Sequence, residues 1–295
     1  MPPDAPTIAD ADPQPGSLAI ICGGGSLPAA IAEAVARRGR RPVMFAIKGW
    51  ADAAVIGRYA HHWIAIGQAG RFFRLARAEH CRDVLFIGTV LRPPITQLRL
   101  DWQTIKAMPG LIRAYRGGDD KLISGVAKIA ESGGLRVVGV KEVAPEVLVP
   151  EGVLGRYQPS DRDKSDIARA LDVIAALGPF DVGQAAVVAD NHVLALEGAE
   201  GTDNLLSRIA ELRRVGRVTS ASGVGVLVKA PKPGQDRRFD LPSIGPRTVE
   251  NVARAGLAGL AVTAGSTMIA EPDAVTAAAD RERIFLVGVR EDTAQ

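Results

Sequence analysis

A chain of 295 residues is long enough for one large or two ordinary domains, each with its own core. Its formal charge is only +3, its basic residues are dispersed and 4% of the chain is aromatic, which excludes a nucleic-acid arm and leaves few rings to stack on bases. No apolar run reaches spanning length, and Cys22 and Cys81 share no CxxC or Cys/His metal spacing, so both are expected as reduced core thiols of a cytoplasmic protein.

Residues 1–16 are rich in Pro, Asp and Ala, without a basic or an apolar signal segment, and are expected to form a disordered leader. An apolar strand at 18–22 runs through Gly23-Gly24-Gly25-Ser26-Leu27-Pro28 into a helix over 27–38 that stops at Gly39. Strands follow at 41–47, 62–66, 83–90 and 135–140, with a helix at 69–81 and helical patterns between the last two strands, interrupted by Pro109-Gly110 and Gly117-Gly118-Asp119-Asp120. Strands alternating with helices indicate βαβ units and a parallel sheet. The fold class is therefore α/β, with two α/β domains. The N-terminal one, 17–142, is Rossmann-like, a Pro/Gly-containing linker covers 143–159, and the C-terminal catalytic domain covers 160–295. In that second half, Ser160 is placed to cap a helix to about 177. Residues 184–189 and 193–196 form a hairpin turning at Asp190-Asn191, and a helix over 202–214 carries Leu205, Leu206, Ile209 and Leu212 on one face. Strands at 223–228, 260–263 and 284–289 alternate with helices at 246–255 and 272–281, the first opened by Pro246.

The densest polar cluster directly follows the 223–228 strand. Between 229 and 240 lie Lys229, Lys232, Gln235, Asp236, Arg237, Arg238 and Asp240, with prolines at 231, 233 and 242 to fix the turn. A polar cluster at the end of an apolar strand is where α/β proteins place binding groups, and its mixed sign suits both phosphate and a divalent cation or an attacking water. Three further constellations have a structural and a functional reading. Gly24, Gly25, Ser26 and Leu27 form either a tight turn or an anion site at a helix start. Pro28 stands where the dinucleotide fingerprint needs its third glycine, and Lys48-Gly49 stands where that fingerprint needs an acid, which argues against a nicotinamide dehydrogenase. Asp119 and Asp120 complement a helix dipole or contact a ligand at the domain junction. Glu197 and Asp203 offer hard oxygens to a cation, while Thr202 and Asp203 equally suit a helix cap. His61, His62, His80 and His192 are not read as metal ligands or catalytic bases. There is no GxxxxGK[ST] loop, GxSxG elbow or HExxH helix, nor the motifs of calcineurin-like phosphoesterases or Nudix hydrolases.

Taken together, Gly-Gly-Gly-Ser-Leu-Pro at 23–28, Gly-Asp-Asp at 118–120, Glu197 with Gly-Thr-Asp at 201–203, and the long motif from Lys229 through Gln235-Asp236 to Asp240-Leu-Pro resemble the UDP-2,3-diacylglucosamine pyrophosphatases of the lipid A pathway. The resemblance covers nearly the whole chain after the leader and departs at Asn204-Leu-Leu-Ser. It implies a magnesium-dependent hydrolase of Gram-negative bacteria that splits its UDP-sugar lipid into UMP and 2,3-diacylglucosamine 1-phosphate, held between two domains and attacked at the sugar-side phosphorus. It implies that Asp236 is essential. The residues themselves suggest Lys229 and Gln235 as further catalytic groups, and Lys232, Arg237 and Arg238 as phosphate partners beside Gly24, Gly25, Ser26, Leu27, Asp119, Asp120 and Thr202. Asp236, Asp203 and Glu197 are the candidate Mg2+ ligands, and Asp240 is read as holding the turn's shape. A non-catalytic nucleotide-sugar or lipid-binding module is the competing class. The expected partner is an amphipathic UDP-sugar lipid, with no nucleic acid. Peripheral contact with the inner membrane and a homodimer are both compatible with the sequence.

Overall fold

The computed structural model describes residues 16–90, 100–105 and 119–291, with the backbone alone for 119–123. Residues 1–15 of the expected leader and the Pro109-Gly110 and Gly117-Gly118 interruptions lie outside the described residues.

The N-terminal half is built on β1 (Ser17–Cys22), β2 (Pro42–Ile47), β3 (His61–Ile64), β4 (Cys81–Ile87) and β5 (Arg136–Val137). All pair in parallel in the order β3-β2-β1-β4-β5, an order shared with doubly wound dinucleotide folds. Apolar residues, Ile most often, make up most of these strands because both sheet faces are covered. On one face α1 (Leu27–Arg37) packs Ile31, Ala34 and Val35 onto Leu18, Ile20, Met44 and Leu85. On the other, α3 (Ala69–Ala78) and α4 (Asp119–Ser132) set Phe72, Phe73, Ala127 and Ala130 against Ala19, Phe45 and Val84. A single-turn α2 (Ala53–Ile56), capped by Asp52, was not expected from the sequence. Cys22 and Cys81 are free and buried, and burial pushes their thiols up to about 12 and about 11, so both are inert at neutral pH.

At one end of this sheet Asp83 is buried, accepting from Arg40 Nη2 at 2.6 Å and from Arg136 Nε at 2.9 Å. Burial by itself would raise its pKa; the Arg136 and Arg40 hydrogen bonds outweigh that and hold the carboxyl below its ordinary value. A depressed carboxylate contributes stability that is present above its unfolded value and lost as pH falls through the folded one. Asp83→Ala is expected to cost about 2 kcal/mol at pH 7, less than a fully buried pair because Arg136 is largely in solvent. The difference from wild type in urea melts should shrink as pH falls below the ordinary carboxylate range and through the lowered pKa of the folded state.

Residues 143–159 carry structure of their own. A short α5 (Val140–Val143) and a 3-10 turn bury Val143, Ala144, Val147 and Leu148 against the first domain, and Val149 enters the core of the second. Then β6 (Gly152–Leu154) pairs antiparallel with β13 (Phe285–Val289). The second sheet has the order β6-β13-β11-β9-β7-β8, with β9 (Val226–Lys229), β11 (Gly259–Thr263) and β13 parallel at its centre. The hairpin β7 (Ala185–Ala189) and β8 (His192–Leu196) turns at Asp190 and Asn191, with φ of 54° and 61°, which fits a type I′ turn. One face is covered by α6 (Asp161–Leu177), opened by a Ser160–Asp163 capping box. The other carries α7 (Gly201–Arg214), α8 (Pro246–Arg254) and α9 (Pro272–Glu282), where Leu205, Leu206, Ile209, Val249, Val252 and Val275 are fully buried. Two two-residue strands, β10 (Ser243–Ile244) and β12 (Met268–Ile269), pair in parallel. They tie together the chain segments leaving β9 and β11.

Candidate functional site

The polar turn leaves the C-terminal end of β9 and is stitched to both domains. The Phe239 ring meets Phe86 of β4 edge-on at 5.8 Å, and Leu241 joins the apolar cluster formed by α1, α5 and the first sheet. Arg238 Nη1 donates to Glu131 of α4 at 3.2 Å, and a side chain at Gly139 would come within 3.1 Å of Arg238 Cα. Leu27, at the start of α1, packs on the same cluster as Leu241. The turn therefore lies at the domain junction, at the C-terminal strand ends of both sheets.

Within it the side chains have distinct surroundings. Lys229 is only 8% exposed, and its ammonium donates to the Ser243 carbonyl at 2.9 Å. Burial pulls its pKa down, opposed by the negative charge of Glu197 and Asp203. One carbonyl engages one of three N–H donors, so the ammonium retains donors for another acceptor. Lys232, also buried, pairs with Asp181. Gln235 is buried with both ends of its amide engaged inside the turn: Oε1 accepts from the Lys232 amide at 3.0 Å, and Nε2 donates to Asp240. Gln235 and Asp240 thus brace the turn, and the Gln235 amide is turned inward rather than presented to a ligand. Arg237 is held by Glu291 after β13 and donates to Ser266 Oγ at 3.3 Å. Arg238 donates to Asp236 through Nε at 3.0 Å and Nη2 at 2.8 Å, while its guanidinium lies 5.0 Å over the Phe239 ring.

Asp236 and Asp240 are both partly exposed, but Asp240 is engaged by Gln235 inside the turn. The hydrogen bonds from Arg238 are the main reason the pKa of Asp236 lies below the ordinary carboxylate value, outweighing a smaller opposing effect of burial. Arg238→Ala is expected to move the acid limb of activity upward, since Asp236 would then protonate at a higher pH. An unchanged acid limb in the pH–rate profile would detach Asp236 from that limb.

Glu197 and Asp203 sit beyond β8 and in the first turn of α7. Glu197 accepts from the Gln184 amide at 2.8 Å and from Thr202 Oγ1 at 2.7 Å. Asp203 accepts from Arg247 and from Asn251 Nδ2 at 2.9 Å. The capping alternative for Thr202 and Asp203 does not hold, because α7 begins at Gly201, whose φ of +77° makes the sharp entry, and both residues lie inside the first turn. Asp236, Asp203 and Glu197 are not brought into one cluster. Among the described residues no group of three or more His, Cys, Asp or Glu is placed to hold a metal.

In the glycine loop, Gly24 exchanges backbone hydrogen bonds with Thr89, 2.9 Å from its N–H and 3.0 Å to its carbonyl, and a side chain at Gly23 would meet the Thr89 carbonyl at 2.4 Å. These two glycines permit close backbone approach. Gly25, with φ of +95° and open space around it, and Ser26, an N-cap whose side chain makes no capping bond, leave the start of α1 exposed. The side chains of Asp119 and Asp120 lie outside the described residues; their backbone opens α4.

Sequence reasoning gave no weight to the polar run Thr263-Ala-Gly-Ser-Thr267 at the end of β11, although it repeats the signal of a polar segment after a buried strand. It contributes Ser266 to Arg237, and its Thr263 and Thr267 hydroxyls are buried without a partner among the described residues. A separate concavity of about 630 Å³, lined by Tyr157, Ser222, Glu250, Arg254 and Arg283 among others, opens near the N-terminal ends of β11 and β13, away from the turn.

The fold and the turn define a two-domain α/β protein with a cationic and carboxylate site at its domain junction. The chain belongs to the LpxI family: residues 17–147 match the LpxI N-terminal domain and residues 150–287 the LpxI C-terminal domain. It is 41% identical over 272 residues, 92% of this chain and 97% of the relative, to the UDP-2,3-diacylglucosamine pyrophosphatase LpxI of Caulobacter vibrioides.

Proposed function

We infer that this protein hydrolyses the pyrophosphate of UDP-2,3-diacylglucosamine in lipid A synthesis, releasing UMP and 2,3-diacylglucosamine 1-phosphate. The observation that carries the reading is Lys229: a buried ammonium with donors to spare, at the C-terminal end of a central strand, in a family whose curated relative is named for this pyrophosphatase activity. The carboxylates whose charge reaches this ammonium, Glu197 and Asp203, accept their hydrogen bonds from other residues, and phosphate oxygens at that point would complete the bonds of Lys229. The start of α1, exposed at Gly25 and Ser26, is a further place at the same junction where an anion would be favoured.

Magnesium fits this donor set as an ion arriving with the substrate, since Mg2+ is commonly held by one or two carboxylates together with phosphate oxygens rather than by an all-protein cage. Asp236 is the residue that would hold it, and the ion would supply charge neutralisation at the pyrophosphate. Asp236 stays anionic at neutral pH and is a weak base, because Arg238 depresses its pKa. Ligation or the orientation of an attacking water therefore suits it better than proton abstraction. From the family resemblance we expect attack at the sugar-side phosphorus. A cytoplasmic enzyme is consistent with the absence, among the described residues, of any helix long and apolar enough to cross a membrane.

The test is incubation of purified protein with the diacylated UDP-sugar in labelled water, with and without chelator. UMP release that stops on chelation, with label in the sugar phosphate, is expected. Binding without release would favour a non-catalytic module, label in UMP would overturn the site of attack, and release that survives chelation would remove magnesium.

A further inference from the structure

The reading above supplies a substrate with two acyl chains, which must be met at a lipid surface, and the first domain carries a feature suited to one. Residues 102–105 are helical and clamp the start of α3. Asp101 Oδ2 accepts from the Gly70 amide at 2.7 Å and the Arg71 amide at 3.2 Å. Thr104 Oγ1 accepts from the Ala69 amide at 3.1 Å and donates to the Gly67 carbonyl at 2.6 Å. This anchoring presents apolar side chains outward: Trp102 is 69% exposed, Ile105 45% and Leu100 39%. An exposed Trp on a rigidly held turn is unusual in a soluble surface and common at membrane interfaces.

The neighbouring helix has the complementary charge. Arg71, Arg74 and Arg77 recur every three residues along α3, all three are exposed, and the helix contains no acidic residue. No ion pair among the described residues engages any of them. The opposite stripe of α3, Phe72, Phe73 and Ala76, is buried. Residues 101–104 lie beyond the C-terminal end of β3, the same end of the first sheet from which Gly25 and Ser26 emerge and against which the polar turn packs through Phe239 and Phe86.

We propose that Trp102 and Ile105, together with Arg71, Arg74 and Arg77, form a docking surface for an anionic phospholipid bilayer. The apolar pair enters the interfacial region and the arginines contact lipid phosphates, which brings the ligand end of the first domain to the membrane.

The experiment is co-sedimentation of the full chain with phosphatidylcholine vesicles, with and without phosphatidylglycerol. Wild type is expected to bind the phosphatidylglycerol vesicles and to release as salt rises. Arg71→Gln with Arg74→Gln should weaken that binding roughly thirtyfold, about a factor of five per surface charge. Trp102→Ser with Ile105→Ser should also lose it. Both double variants should keep wild-type turnover of detergent-dispersed substrate. If the Trp102 variant unfolds, the arginine variant decides, because its substitutions are on exposed positions. Wild-type protein that ignores anionic vesicles, binding indifferent to phosphatidylglycerol, or arginine variants that bind as wild type would each overturn the proposal. Vesicle binding is read without turnover, so failure of the hydrolase reading would show separately, as absence of UMP.

Discussion

Asp236→Ala is expected to lower turnover by about three orders of magnitude or more while leaving a folded protein that still binds substrate, because a group acting at the reacting phosphate lowers the barrier rather than holding the chain together. Stability should change by less than about 1 kcal/mol, since the removed carboxylate is partly in solvent and its partner is a sequence neighbour. Arg238, its partner, keeps Glu131 and the Phe239 ring, so the turn retains its attachment to the first domain. Asp236→Asn keeps the shape and removes the charge; it should be nearly as inactive if charge is what the site needs. Turnover measured with saturating magnesium, alongside a urea midpoint for each variant, separates the outcomes. Near-wild-type turnover in the alanine variant would remove Asp236 from the mechanism, and a large loss of stability would make it a structural residue.

What could be foreseen here follows the range of the interactions. Strands β1 to β4 and the helices α1, α6 and α8 are visible as apolar runs, periodic faces and caps, because their signals are local: Ser160 with Asp163, Asp190-Asn191 at a hairpin, Pro246 at a helix start. The strands β6, β10 and β12, of two or three residues, exist through pairing with distant chain and carry no pattern of their own. The site divides in the same way. The turn at 229–242 is conspicuous as a density of charge after a buried strand. Which charges face outward depends on partners far along the chain: Asp181 for Lys232, Glu291 for Arg237, Glu131 for Arg238, Arg247 and Asn251 for Asp203. A sequence reader counts seven polar side chains in the turn, and the folded chain engages several of them with one another. Lys229 and Asp236 then stand out, one as a buried cation and the other as an anion held from one side.

Lys229→Met tests the buried cation, and its two readouts should move differently. Methionine matches the stem of lysine and removes the charge, so it takes away a donor aimed at phosphate; loss of one such donor typically lowers kcat by a factor of about 100 to 1000. Stability should hardly fall, and its pH dependence should flatten. The sign follows from burial, which places the folded pKa of Lys229 below its unfolded value. In the alkaline window between those two values the unfolded chain holds a proton that the folded chain has released, so wild-type stability gains an increment as pH rises. That increment should be missing from Lys229→Met in urea melts compared between neutral and alkaline pH. The same ionisation should make wild-type activity fall on the alkaline side before an ordinary lysine would titrate, less steeply at saturating substrate because bound phosphate favours the charged ammonium. A methionine variant with full activity would end the phosphate role. One that is inactive yet keeps the alkaline gain in stability would mean that the ammonium is already charged in the fold, paired with Glu197 and Asp203.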